Sequence, residues 1–251
     1  MPENVKISPA SEGWIVPILL LTWVAGTIDA IGYLNLGHVF TANMTGNSVL
    51  LGLALGQGQV QAAFRTSFAL GGFVLGVGIG AILAHRAGTD VDQRRAFVGP
   101  LLVETIILAA FALTMHLPFI PRNSLTVHVL IVLSALAMGI QSAAVRRLNL
   151  PGISTIVLTN TITAFVAGIV RVLHLTYLSS PTEVEVGSSA GRKRNLGLQA
   201  GVFLAYVAAA VSAGLFQRRL PLIVGFSPVV AIGLVLLGAT LSVARPRPVS
   251  E

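Results

Sequence analysis

Two carboxyls and one run of hydroxyls and amides carry most of the chemistry this chain can offer. Asp29 and Glu104 are the only acidic residues inside long apolar stretches, and the run Leu34 to Leu51, LNLGHVFTANMTGNSVLL, crowds Asn35, His38, Thr41, Asn43, Thr45, Gly46 and Asn47 together. Hydrocarbon tolerates that density of polar groups only where they face protein, water or a ligand. Thr and Asn supply donors and acceptors, and Gly46 permits a close backbone approach or a turn with positive φ. If the chain is extended before Thr45 and helical after it, a helix N-terminus points its amides into the membrane, where it attracts an anion or a polar solute. The plainer alternative is an N-cap by Thr45 or Asn47 with polar helix–helix contacts. A carboxyl at membrane depth costs on the order of 3 kcal/mol to insert, so Asp29 needs a partner or a proton. It reads equally as a proton carrier and as a structural bond to backbone. Glu104 follows Pro100 by four residues, so it can line a pathway or cap backbone groups freed by a proline kink. Gln141 is a further deep polar side chain, suited to a pathway or to a helix–helix clasp. Thr155, Thr159, Asn160 and Thr161 are expected to form the wall opposite the first polar run.

The elements that must hold these residues are membrane helices. Of 251 residues, 54% are hydrophobic and 10% charged, where a soluble domain carries roughly 25% charged residues. The net charge of +7 lies in short Lys/Arg clusters between apolar runs, as in loops held at a negative membrane face, and not as a nucleic-acid surface. The absence of cysteine excludes disulfides and thiolate chemistry. His38, His116, His128 and His174 lie near span boundaries without metal-ligand spacing, so neither metal nor cofactor is expected. No phosphate-binding glycine loop, GxSxG or paired His-Glu motif is present, so no enzyme activity is expected.

The chain divides into a polar tail (1–13), a first membrane half (14–118), a connecting loop (119–124), a second half (125–244) with a flexible loop at 178–194, and a polar tail (245–251). Spans of about 20 residues are expected at Trp14–Leu34, Phe64–Ala84, Ala96–Leu117, Leu125–Ala144, Leu196–Phe216 and Leu220–Ala244. Asp29 within the first run argues against a cleaved signal peptide. Gly72, Gly76 and Gly80, four apart, allow another helix to approach closely, within the chain or in a homo-oligomer.

Two stretches align at an offset of 114 residues: Leu34-Asn35-Leu36 on Leu148-Asn149-Leu150, Thr41 on Thr155 and Thr45 on Thr159. Each half continues with a Gly- or Ala-rich span, a short basic break and a final span, which suggests a duplication. If the segments 38–57 and 152–173 dip in and return, six spans place Lys6, Arg86, Arg94, Arg95, Arg146, Arg147, Arg171, Arg192, Lys193, Arg194, Arg245 and Arg247 on one side. Arg65, Arg122, Arg218 and Arg219 fall on the other, twelve against four. Eight full spans, the alternative, give nine against seven. The inside excess of Lys and Arg favours six spans, inverted halves and cytoplasmic termini. The length of Thr159 to Leu178 favours eight.

DAIGYLNLGHVFTANMTGNSVLLG (Asp29 to Gly52) and RRLNLPGISTIVLTNT (Arg146 to Thr161) make the sequence resemble the YoaK family of small bacterial inner-membrane proteins. The resemblance covers nearly the whole chain, implies a bacterial inner-membrane location, and points to Asp29 and the TANMTGN run as the hallmark. It implies no substrate. The expectation is therefore an all-α polytopic membrane protein with six spans and two polar dipping segments. Its expected function is a small-solute transporter or channel, with Asp29 proton-linked or solute-binding. The rival is a membrane factor that binds a lipid or partner protein, and that rival calls for a dry, closed centre around Asn43 and Asn47.

Overall fold

The computed structural model describes residues 13–86, 93–121, 123–147, 158–177 and 189–244, and among them there are eight helices and no strand. They are α1 (Ile15–Asn35), α2 (Met44–Gly56), α3 (Val60–Arg86), α4 (Gln93–His116), α5 (Ser124–Arg146), α6 (Leu158–Tyr177), α7 (Ser189–Phe216) and α8 (Pro221–Ala244). A chain this apolar has no water for its backbone, so its peptide groups must bond within each segment, and helices result. Pro17 is tolerated because it falls in the first turn of α1, where the missing N–H has no helical partner anyway. Pro100 and Pro228 lie inside α4 and α8.

Six helices (α1, α3, α4, α5, α7 and α8) are long and apolar enough to cross a membrane. Helix α2, with 13 residues, extends only about 20 Å at 1.5 Å per residue, short of the roughly 30 Å of a hydrocarbon core. The flexible loop expected at 178–194 is shorter, because α7 begins at Ser189. The Arg-Lys-Arg run is made of good helix formers and extends the helix past the apolar stretch. Residues 178–188 lie outside the described residues.

The helix contacts fix the direction of each crossing. Leu19 meets Gly201 and Gly26 meets the carbonyl of Tyr206, so α1 and α7 run parallel. Trp14 and Pro17 border a groove with Gly238 and Ala239, whereas Trp23 borders one with Ile223 and Phe226, so α8 runs antiparallel to α1. Trp14 packs on Phe97 with ring centroids 5.1 Å apart, and the end of α4 (His116) meets the start of α8 at Gly225 and Phe226. Helix α4 therefore rises with α1. Gly72 faces Val132, Gly76 faces Leu136 and Gly80 faces Ile140, so α3 and α5 run parallel. Arg65, in the second turn of α3, lies on Gly37, just beyond the end of α1. The chain thus crosses in α1, returns in α3, crosses in α4, returns in α5, crosses in α7 and returns in α8. Residues 36–59 leave and re-enter at one face. Helix α5 ends, and α7 begins, at the other. Neither α2 nor α6 adds a net crossing, and the two halves begin on opposite faces.

The glycine ladder of α3 is occupied within the chain. A Cβ at Gly76 would overlap the Leu136 carbonyl, and one at Gly80 would lie 2.9 Å from the Ile140 backbone. Gly139 of α5 faces Phe73 and Val77 in return. The close approach that the spacing allowed is thus made by α5 of the same chain. The outward faces carry exposed Val74, Leu75, Ile82, Leu204, Val211, Ile223 and Leu237, as suits hydrocarbon.

Two measurements check this arrangement. The chain has no native cysteine, so single cysteines report cleanly. Gln59→Cys and Leu220→Cys should react with an impermeant thiol reagent from the same face, and Gly13→Cys from the other; a full crossing by α2 would put Gln59 with Gly13 instead. Gly76→Ala should destabilise the protein by about 1–3 kcal/mol through overpacking. Gly78→Ala, with nothing within 4 Å of its Cβ position, should be neutral or stabilising by up to ~1 kcal/mol in thermal unfolding.

Candidate functional site

The chain between α1 and α2 is irregular backbone at membrane depth, and each of its exposed donors needs a partner. Helix α1 ends with the amide of Leu36 on the carbonyl of Gly32. Gly37 (φ +87°) and His38 (φ +62°) then turn the chain back on itself. Glycine suits position 37 because its φ of +87° is a backbone conformation that L side chains rarely adopt. The returning strand-like stretch lies along α1. Its Val39 carbonyl would be 2.7 Å from a Cβ at Gly32, so Gly32 is what lets the segment fold back. The rings of His38 and Phe40 pack on Tyr33 at 4.8 and 5.6 Å.

Asp29 sits where this segment reaches its deepest point. Its Oδ1 accepts from the amides of Thr41 and Ala42, each at 2.7 Å, and the Thr41 hydroxyl is 3.5 Å away. Its Oδ2 accepts from the hydroxyl of Tyr206 on α7 at 2.5 Å. The carboxyl is 2% exposed. The Thr41 and Ala42 amides, which precede the Asn43 N-cap of α2, thus find their acceptor in a carboxyl of α1. Asp29 thereby joins α1, the dipping segment and α7.

Asn47 closes the segment from the other side. Its Oδ1 accepts from the Phe40 amide at 3.0 Å, and its Nδ2 donates to the Phe40 carbonyl at 2.5 Å. One carboxamide thus satisfies both backbone polar groups of Phe40. The N-cap of α2 is Asn43, whose Oδ1 accepts from the Gly46 amide at 3.1 Å. Thr45 and Asn47, the caps expected from sequence, do not serve: Thr45 is exposed and Asn47 is turned to Phe40. Gly46 has no positive φ. A Cβ there would lie 3.0 Å from the Phe40 ring, so its part is close approach.

The other expected site residues are dispersed. Asn35 is exposed at the end of α1. Glu104 on α4 is 0% exposed, and neither carboxylate oxygen has a hydrogen-bond partner, so it does not cap backbone freed by Pro100. Gln141 on α5 donates from Nε2 to the Leu21 carbonyl of α1 at 3.0 Å and leaves Oε1 without a partner. It is a clasp with one open acceptor. Thr155 and Leu148-Asn149-Leu150 lie outside the described residues. Thr159 and Asn160 fall in the first turn of α6, and Thr161 is buried. Helix α6 packs on α7, and α2 on α3; the side chains of Thr159 and Asn160 lie outside the described residues.

Tyr206 is the site residue that reading the sequence missed. The available signal was a lone tyrosine in LQAGVFLAYVAAAVSAG, a mostly apolar span that also holds Gln199 and Ser212, but nothing in that pattern pairs it with an aspartate 177 residues earlier.

The fold and this site define a small polytopic helical membrane protein whose first dipping segment is tied to a carboxylate inside a span. A family model described as "Protein of unknown function (DUF1275)" matches residues 18–242. The chain belongs to that family. It is similar to the "UPF0700 transmembrane protein YoaK" of Bacillus subtilis (strain 168), with 44% identity over 151 residues. The match covers 60% of this chain and 64% of that one, so the chain spans less than two thirds of the relative's length. No solved structure matches.

The aspartate's bonds give an ordered set of expected losses. Tyr206→Phe removes one hydrogen bond to a carboxylate, worth about 1.5–3 kcal/mol. Asp29→Asn keeps an oxygen for the two amides and should fall in the same range. Asp29→Ala strands both amides and should exceed either. Unfolding midpoints of the three variants in detergent check the order, and an Asp29→Ala variant no worse than Asp29→Asn would show that the amides find other partners.

Proposed function

We propose that this protein is a small-solute transporter of the bacterial inner membrane, built from two inverted halves, with its termini in the cytoplasm. The observation that carries the reading is the pairing of its helix contacts. Helix α3 packs on α5 as α7 packs on α1, α4 on α5 as α8 on α1, and α2 on α3 as α6 on α7, while α4 packs on α8 and α1 on α5. Exchanging α1–α4 with α5–α8 leaves this scheme unchanged. Details agree with it: Pro100 and Pro228 occupy the same position in helices of 24 residues each. Gly26 of α1 and Gly139 of α5 both stand against a backbone of the partner helix.

Three crossings in each half give opposite orientation, the arrangement in which transporters rock one repeat against the other. The twelve-to-four division of Lys and Arg supports cytoplasmic termini. The dipping segment is the mobile element in this reading. Asp29 is the group that holds it to α7, and a solute's polar groups compete for the amides of Thr41 and Ala42.

A static role, in which the polar run only fastens helices for a lipid or protein partner, is favoured by the closure of Asn47 on Phe40 and by its complete burial. The two readings separate in proteoliposomes. Purified protein presented with a panel of small polar solutes should give solute-dependent flux, and Asp29→Asn and Asn47→Ala should lower it on the order of tenfold, about 1.4 kcal/mol in barrier. Flux that both variants leave unchanged, or no flux across the panel, would favour the static role.

A further inference from the structure

Among the described residues, Glu104 is the buried carboxyl without a hydrogen bond, and Thr27 is the buried hydroxyl in the same condition. Most buried polar side chains have at least one bond: Thr22, Ser134 and Thr66 bond back to their own helices, Asn47 to Phe40, Gln141 to Leu21 and Asp29 to three donors. Glu104 is 0% exposed and has no partner at either oxygen. Its neighbours along α4, Leu101 and Leu108, are likewise buried. In the exchange of halves that superposes Pro100 on Pro228, Glu104 falls on Ile232, which is apolar and buried. The shell therefore suits a hydrocarbon side chain, and a carboxyl occupies it.

On the helices packed around it, the charged residues fall towards the helix ends. Helix α4 packs on α3, α5 and α8. Helix α8 carries no ionisable residue. Helix α3 carries Arg65 at Gly37 near one end and His85 and Arg86 at the other. On α5, His128 packs on Phe68 and Arg146 closes the helix. On α4 itself, Arg94, Arg95 and His116 stand at the ends. The open oxygen of Gln141 shares its depth. Trp14 packs on Phe97 and both helices rise from there, so Leu21 and Glu104, seven residues further along each, lie in one layer. Gln141 is bonded to Leu21.

We propose that Glu104 is the proton-carrying residue of the transport cycle, and that Asp29 is a positioning residue which holds the dipping segment without exchanging its proton. The inference rests on the transporter reading. A dehydrated hard cation gathers about six oxygen ligands, and this layer offers one carboxyl and one open amide oxygen among the described residues. A proton needs only the carboxyl. The step is simple: the Glu104 carboxylate takes one proton from water on one side and returns to the carboxylate when it releases that proton to the other. Asp29 already receives two amides and a phenol, so binding a proton there disturbs bonds that fix the structure. Two carboxyls with unlike surroundings take unlike tasks.

The test is infrared spectroscopy of the full-length protein reconstituted in lipid, as the bulk pH is stepped and repeated in deuterated water. A carboxylic acid without hydrogen bonds gives a carbonyl band at high frequency, separate from the acids of the loops and tails. The wild type should show such a band titrating with pH and shifting on deuteration. Glu104→Gln, nearly isosteric, should lose it completely, whereas Asp29→Asn should keep it. A band that survives Glu104→Gln, or a wild type that shows none, overturns the assignment. The result is independent of flux: the band without transport would sink the transporter reading and leave the proton site standing, and transport without the band would do the reverse.

Discussion

Backbone amides inside hydrocarbon must be satisfied by the protein itself, and the carboxylate of Asp29 meets that demand for the one described stretch where the chain is neither helix nor water-exposed loop. Oδ1 takes the amides of Thr41 and Ala42, and Asn47 takes both backbone polar groups of Phe40. Once those bonds are made, α2 can start in the interior and α3 can begin at the face where α1 ended. The inversion of the two halves follows from that return. Without it, α2 would have to go on across the membrane, and the second half would start on the same face as the first.

The two halves share a packing plan but not a site. The α3–α5 seam brings four glycines, 72, 76, 80 and 139, against partner atoms on the facing helix, whereas the α1–α7 seam relies on Gly26, Gly201 and the Tyr206–Asp29 bond. The carboxylate sits on the less closely packed seam. Glu104 is similarly one-sided, with Ile232 as its counterpart. The two buried carboxyls among the described residues, Asp29 and Glu104, thus both lie on helices of the first half.

Much of the fold was legible because membrane helices are written in composition. The six spans followed from runs of apolar residues, and the six-crossing arrangement from where Lys and Arg fall. The TANMTGN run stood out because polar groups at that depth demand a reason. Less legible were the partners. Asn43, Thr45 and Asn47 are all competent caps on sequence, and only the turn at Gly37 and His38, which lays Phe40 beside α2, decides among them. The glycine ladder announced a close helix but could not say whose. Tyr206 is a long-range partner, and no periodicity relates it to Asp29. Glu104 looked like a proline cap because it follows Pro100 by one turn, yet its rotation about α4 carries it into an apolar interior.

The separation between the members of the Asp29 cluster also sets an order of assembly. Asp29, Thr41, Ala42 and Asn47 lie within 19 consecutive residues, so the ribosome delivers them almost together and the dipping hairpin can close as soon as it enters the bilayer. Tyr206 emerges 177 residues after the aspartate, when five further helices have been made. The early hairpin is thus a template already in place, and α7 is recognised on arrival by a carboxylate oxygen kept open for its hydroxyl. Biogenesis of the second half ends in a docking event whose address was laid down in the first.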